Sequence, residues 1–171
     1  LVFDCADYPE NKWEYQEALK AISKINNLPN LRILEIGAGS GQFLKKLVQK
    51  GIPADNLFAT EYSSAAADAL RLKGIRSTRT DFRKSSEFPF KEKFDVIVMF
   101  QVLEHLDELQ TTFSSLKGYL KDGGTLIIAV PNFKRTEFHE KNGALLELPP
   151  NHVGRWTMKT FEHVAKQWNF K

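Results

Sequence analysis

The chain has little cysteine, no long apolar run and no excess of charge of one sign. A single cysteine, Cys5, in 171 residues excludes an internal disulfide and suits a reducing, cytoplasmic compartment. It stands in no motif and is given no nucleophilic role. Apolar runs such as 126–130 fall far short of the ~20 residues a membrane-spanning helix needs. No secretory signal pattern, internal repeat or low-complexity tract is found. The net charge of +3 is scattered, and no stripe of basic and aromatic residues marks a nucleic-acid surface. Leu1 in place of a starting Met leads us to expect a chain that begins inside a longer protein.

What is present is an ordinary globular balance, 42% hydrophobic and 26% charged residues. The length predicts one domain, 1–171, that buries about two-thirds of its unfolded surface. Helical spacing of Trp13, Ala18, Leu19, Ile22 and Ile25 predicts an N-terminal helix over 10–26, within a helical segment 1–30. Strands are expected at 31–36, 57–61, 75–80, 94–100 and 125–130. Helices are expected at 40–50, 64–73 (capped by Ser63 or Ser64) and 107–120. A last helix from Thr157 should bury Phe161, Val164, Ala165 and Trp168. The stretch 132–156 carries no regular pattern and reads as a lid or substrate loop. Strands alternating with helices predict a Rossmann-like, doubly wound α/β fold, its sheet mainly parallel and covered by helices on both faces.

Ligands of such sheets bind beyond the carboxyl ends of the strands. The residues there are Gly37 after the first strand, Glu61 ending the second, Asp81 after the third and Gln101 after the fourth. Gly37, Gly39 and Gly41 form a turn that opens a helix, so backbone N–H groups face a ligand without intervening side chains. Glu61, at the end of the next strand, can accept hydrogen bonds from vicinal ribose hydroxyls. These features suit a nucleotide. The spacing G-x-G-x-G differs from the G-x-G-x-x-G of the dinucleotide fingerprint, which disfavours an NAD-type oxidoreductase.

Five ordered motifs, LEIGAGSG at 34–41, Glu61, Thr80-Asp81-Phe82, FDVIVMFQVLEHL at 94–106 and LKDGGTLIIAVPN at 120–132, together resemble the class I S-adenosylmethionine-dependent methyltransferases. The segments at 8–14 and 149–157 are similar to a broad, mostly bacterial branch of that superfamily. The resemblance implies that the glycine turn approaches the methionine and ribose of the cofactor. It also implies that Glu35 orients the methionyl amine, Glu61 holds the ribose, and Asp81 and Phe82 meet the adenine. Gln101 would lie near the methionyl end. The implied reaction is methyl transfer to an O or N nucleophile of a small molecule.

On the acceptor side, His105 and His152 are candidate bases, with a reference pKa of about 6.5. Glu104, His105 and His152 also resemble part of the metal site of the small-RNA 3′-end 2′-O-methyltransferases, which keeps a metal-assisted alternative open. Gln101 stands where that pattern has a carboxylate, a poorer ligand for a hard cation, and we assign no metal. Phe133, Phe138, Trp156, Tyr8 and Trp13 are candidates for an acceptor wall, and Lys134, Arg135 and Arg155 for an anionic group on the acceptor. The resemblance implies a sheet of seven strands, and we expect strands six and seven to be missing from residues 1–171. That keeps a non-catalytic binding module as a third reading.

Overall fold

The computed structural model describes residues 11–145 and 148–171; Cys5 and Tyr8 lie outside them. In chain order it has α1 (Trp13–Ile22), β1 (Ile33–Ile36), α2 (Gln42–Gln49), β2 (Leu57–Thr60), α3 (Ser64–Leu72) and β3 (Arg76–Thr78). These are followed by β4 (Phe94–Phe100), α4 (Leu109–Tyr119), β5 (Leu120–Ala129), α5 (Phe133–Lys141) and α6 (Met158–Gln167). The strands form one parallel sheet in the order β3-β2-β1-β4-β5. Chain order reverses between β1 and β4, so the carboxyl ends of these two strands flank a crevice. Among the described residues the sheet has five strands, and no helix is long and apolar enough to cross a membrane.

The near-continuous apolar strands are buried on both faces. Along β1, Ile33 faces the core beneath α1 and α2, whereas Leu34 and Ile36 face the core beneath α4 and α6. Along β4, Val96 and Val98 alternate with Ile97 and Met99 in the same way. This two-sided burial requires helices on both faces. Helix α2 fills one core with the fully buried Phe43, Leu44 and Leu47. Truncation of Leu47 to alanine should cost about 2–5 kcal/mol. Ser63 caps α3 as expected, its hydroxyl accepting from the Ala66 N–H.

Four local expectations are corrected. The apolar face of α1 runs through Tyr15, Ala18 and Ile22, while Trp13 is 71% exposed. Tyr15 lies three residues before Ala18 on the inward face, and its ring packs against Phe43 and Phe100.

Strand β5 begins at Leu120, opposite Phe94, and its register then jumps so that Val96 faces Thr125. The intervening Lys121 clamps Asp95 with contacts of 2.8 Å to both carboxylate oxygens, and Asp95 also accepts the Arg32 N–H. An Asp-Gly-Gly turn signal concealed this bulge from sequence reading.

Part of 132–156 is helical. Asn132 accepts the N–H groups of Lys134 and Arg135 and starts α5. That helix has only two aromatic residues and no apolar stripe, so periodicity could not reveal it. Finally, Phe161, Val164 and Trp168 of the last helix are half-buried against the core and not fully enclosed.

Candidate functional site

The crevice at the carboxyl ends of β1, β2 and β4 holds a cavity of about 490 Å³. The glycine turn forms its floor. Gly37, Gly39 and Gly41 all have positive φ (73°, 52° and 75°), the region where side chains are disfavoured. The Gly37 and Ala38 N–H groups donate to the Thr60 carbonyl at 3.0 and 3.1 Å, which fixes the turn on the end of β2. A Cβ on Gly37 would lie 2.5 Å from Val102 Cγ2, and one on Gly41 would strike Leu70. A Cβ on Gly39 would meet nothing within 4 Å. Two of the glycines are therefore required by packing, and the third by its backbone conformation and its place on the cavity wall.

Glu61 ties the turn from the side. Its Oε2 accepts the Gly39 N–H at 2.8 Å and its Oε1 the Ser63 N–H at 2.9 Å. Each carboxylate oxygen keeps a second acceptor position for a ligand hydroxyl.

Glu35, on β1, is only 2% exposed, and among the described residues its Oε2 has no hydrogen-bond partner. Burial holds its pKa well above the usual carboxylate range. Attraction to Lys12 pulls the other way, and repulsion from Glu61 adds to the rise. A buried acceptor without a donor, on the wall of a cavity, is a position for a ligand cation or N–H group.

The third strand leads to Asp81 and Phe82. Burial acts to raise the Asp81 pKa, but hydrogen bonds and charge from Arg83 outweigh it and hold the carboxyl below its ordinary value. Arg83 Nε lies 3.1 Å from both carboxylate oxygens and Nη2 is 2.8 Å from Oδ2. Arg83 also pairs with Asp107, at 2.6 Å, and so links this loop to the start of α4. Phe82 is buried, lines the cavity and accepts the Tyr119 hydroxyl on its carbonyl at 2.8 Å.

Past β4, Gln101 has φ of 55°, a left-handed conformation for a residue with a side chain. Its N–H donates to the Ala129 carbonyl at 2.8 Å, so β5 enforces the kink that turns the chain into the cavity wall. A single helical turn, Leu103–His105, follows. His105 Nδ1 lies 2.6 Å from the Asn151 carbonyl. A carbonyl only accepts, so Nδ1 carries a proton, and in the neutral ring Nε2 has the lone pair. His152 stands edge-on to His105 with ring centroids 4.7 Å apart. The Val153 and Gly154 N–H groups donate to the Glu104 carbonyl at 2.8 and 3.0 Å. Two backbone hydrogen bonds and one from the His105 side chain thus fasten the segment 151–154 to the turn bearing Glu104 and His105.

The cavity collects Glu35, Gly37, Gly39, Glu61, Phe82, Gln101 and His105 from the sequence candidates. Gly41 and Asp81 stand behind its wall, and His152 lines a minor neighbouring cleft. Of the residues considered for an acceptor wall, Trp156 is buried and stacks on Phe161, 5.1 Å between rings, and Arg155 pairs with Glu140 of α5. Phe138 is 65% exposed. Sequence reading missed Tyr15, Arg83 and Asn151 as cavity residues. Arg83, two residues beyond an expected ligand-binding aspartate, was the one with a local signal.

A family model described as a methyltransferase domain matches residues 10–171. A ubiquinone biosynthesis O-methyltransferase from a Bradyrhizobium species is 26% identical over 132 residues, covering 77% of this chain and 50% of that protein. The chain thus spans about half the length of that relative. The structure of a magnesium protoporphyrin IX methyltransferase from Synechocystis with bound SAH is similar with a TM-score of 0.64 and 16% identity, over 96% of this chain and 80% of that one. A SAM-bound amino pentose methyltransferase from Micromonospora echinaspora is similar with a TM-score of 0.57 and 23% identity, over 73% and 54% of the two chains. At these identities the structural likenesses show the fold: a Rossmann-like methyltransferase fold with a mainly parallel sheet.

Proposed function

The chain belongs to the methyltransferase-domain family, and from that premise we propose that it binds S-adenosylmethionine and methylates an oxygen or nitrogen of a small molecule. The observation that carries this reading is the shared cavity. It joins the glycine turn, the buried Glu35 and the strand-end Glu61 at one end to Gln101 and His105 at the other. Bound there, S-adenosylmethionine supplies a methyl already activated by its sulfonium, so the protein's work is mostly alignment and proton handling.

Glu61 accepts from the ribose hydroxyls with the lone pairs that Gly39 and Ser63 leave unused. Glu35 accepts from the methionyl amine, whose positive charge favours the ionised carboxyl. Asp81, fixed by Arg83, and Phe82 frame the adenine. Gly39 leaves the cavity side of the turn bare for close approach, while Gly37 and Gly41 let the turn pack against Val102 and Leu70. Gln101 positions the methionyl end, and His105 with His152 serves the incoming nucleophile.

The relative's name, a ubiquinone biosynthesis O-methyltransferase, and that of the amino pentose methyltransferase put phenolic hydroxyls and sugar amines first among acceptors to try. Neither nucleic acid nor a membrane enters the proposal, and the single cysteine supports a cytoplasmic setting. The direct test is calorimetry with S-adenosylmethionine, followed by methyl transfer to a panel of phenols and amino sugars. Saturable cofactor binding with methylated product supports the reading. Folded protein that gives no binding heat overturns it. Cofactor binding without turnover on any acceptor supports a non-catalytic module instead.

A further inference from the structure

We propose that Arg83, and not Asp81, meets the base of the methyl donor, so that the cavity holds a purine by its ring nitrogens and does not select the amino group at C6. This rests on the methyl-transfer reading above. It departs from the family resemblance, which puts Asp81 against the adenine; here Asp81 frames the base only from behind Arg83.

Arg83, Arg79 and Tyr62 line the end of the cavity beside β3, and Asp81 does not. The acidic side chains on the cavity wall are Glu35, on β1, and Glu61, just past β2. The base end therefore presents two guanidinium groups and a phenol, and no carboxylate.

Asp81 is also used up as an acceptor. A carboxylate has about four acceptor positions. The Arg83 backbone N–H takes one on Oδ1 at 2.9 Å, Nε reaches both oxygens at 3.1 Å, and Nη2 takes Oδ2 at 2.8 Å. A single residue two positions along the chain thus fills the carboxylate. An amino group arriving from the cavity finds no lone pair left to accept its hydrogen.

Arg83 is held against stepping aside. Its Nη1 donates to Asp107 Oδ1 at 2.6 Å and to the Asp107 carbonyl at 3.4 Å, so the guanidinium lies between two carboxylates from separate segments. The Arg83 and Asp81 side chains are only 18% and 17% exposed, which shields their pair from water. Forked, charge-assisted bonds are roughly twice as strong as neutral ones. Breaking two of them to gain one bond from a neutral amine is unfavourable.

The guanidinium has five N–H groups. Nε and one N–H of Nη2 serve Asp81, and Nη1 serves Asp107. Among the described residues one N–H of Nη2 remains, on a side chain that lines the cavity. It needs an acceptor, and the ring nitrogens of a purine are acceptors, as in arginine contacts to purine N7. The amino nitrogen at C6 only donates, so a guanidinium gains nothing from it. Arg79, anchored by Nε to the Tyr62 carbonyl at 3.0 Å, adds further donors to the same wall.

The test compares S-adenosylhomocysteine with its analogue that carries hydrogen in place of the amino group at C6. Each is titrated by calorimetry into the wild-type chain and into Arg83→Ala. The two dissociation constants should lie within about 10-fold of each other in the wild type, whereas an amino group bonded to a carboxylate would separate them by about 10- to 100-fold. Removing Arg83 uncovers the Asp81 carboxylate, and preference for the amino compound should then rise about 10-fold or more. A wild-type preference for the amino compound above about 10-fold overturns the proposal and leaves the methyl-transfer reading intact. So does a ratio in Arg83→Ala that stays at the wild-type value. If that variant does not fold, the wild-type ratio decides alone. Folded wild-type protein that binds neither compound fails the methyl-transfer reading, and the assignment of Arg83 with it.

Discussion

The backbone N–H of Gly39 donates to Glu61 Oε2 across 2.8 Å, joining the glycine turn to the end of the neighbouring strand. The same carboxylate accepts Ser63. Glu61 is therefore both a ligand-facing acceptor and the brace of the turn itself. Glu61→Ala should weaken S-adenosylmethionine binding by about 10- to 100-fold, the loss of one or two hydrogen bonds to a charged group. Glu61→Gln should recover only part of this, because one amide end donates where the carboxylate accepted. Calorimetry on both variants checks it; cofactor affinity unaffected by either change would remove Glu61 from the site.

The glycines separate by experiment. Gly41→Ala drives a methyl into Leu70, a core residue, and should lower stability by about 1–3 kcal/mol from overpacking alone. Gly39→Ala meets open space and should cost about 1–2 kcal/mol from its left-handed backbone, while its methyl projects at the cavity. Cofactor affinity should therefore drop more in the Gly39 variant, and melting temperature more in the Gly41 variant. Thermal melts paired with cofactor titrations read both quantities, and the reverse ranking would contradict the geometry.

Glu35 predicts a pH dependence. Burial raises its folded pKa, so the native protein holds this proton more tightly than the unfolded chain. As pH climbs from the ordinary carboxyl value of about 4.3 through the raised folded value, this group's effect on stability becomes steadily more unfavourable. Glu35→Gln removes the ionisation. Its melting temperature should exceed that of the wild type at pH 8 by about 2–4 °C per kcal/mol relieved, and the gap should close near pH 4. Melts of cofactor-free protein across that range provide the check; a gap independent of pH would mean that Glu35 ionisation is not the cause.

At the acceptor end, His105→Ala should lower turnover by about 10²- to 10⁴-fold, the usual contribution of a positioned acid–base or equivalent group. The cofactor dissociation constant should change little, since the Glu61 and Glu35 contacts lie on other strands. Single-turnover kinetics with separate cofactor titration will distinguish the two quantities. Wild-type turnover in this variant would exclude His105 from the chemistry.

The donor half was legible in the sequence because its residues obey a positional rule. Strands of continuous apolar residues announce a sheet buried on both faces, and Gly37, Glu61, Phe82 and Gln101 all follow strand ends. The acceptor half obeys no such rule. Helix α5 draws its order from the Asn132 cap and the Arg155–Glu140 pair, neither of which leaves a periodic trace. Tyr15 and Trp13 are both aromatic and adjacent in pattern, and only packing against Phe43 and Phe100 decides which points inward. Arg83 braces Asp81 two residues away, but Asp107, which holds Arg83, lies on a loop that meets theirs only after folding.

Two backbone hydrogen bonds and one from the His105 side chain hold 151–154 to the Glu104–His105 turn, and they form the seam by which the later segment meets the cavity. Everything that would grip the methyl donor is set by residue 101, and the segment from 132 onward touches the chemistry through that one seam. Grafting 132–156 between members of the family should carry acceptor choice with it.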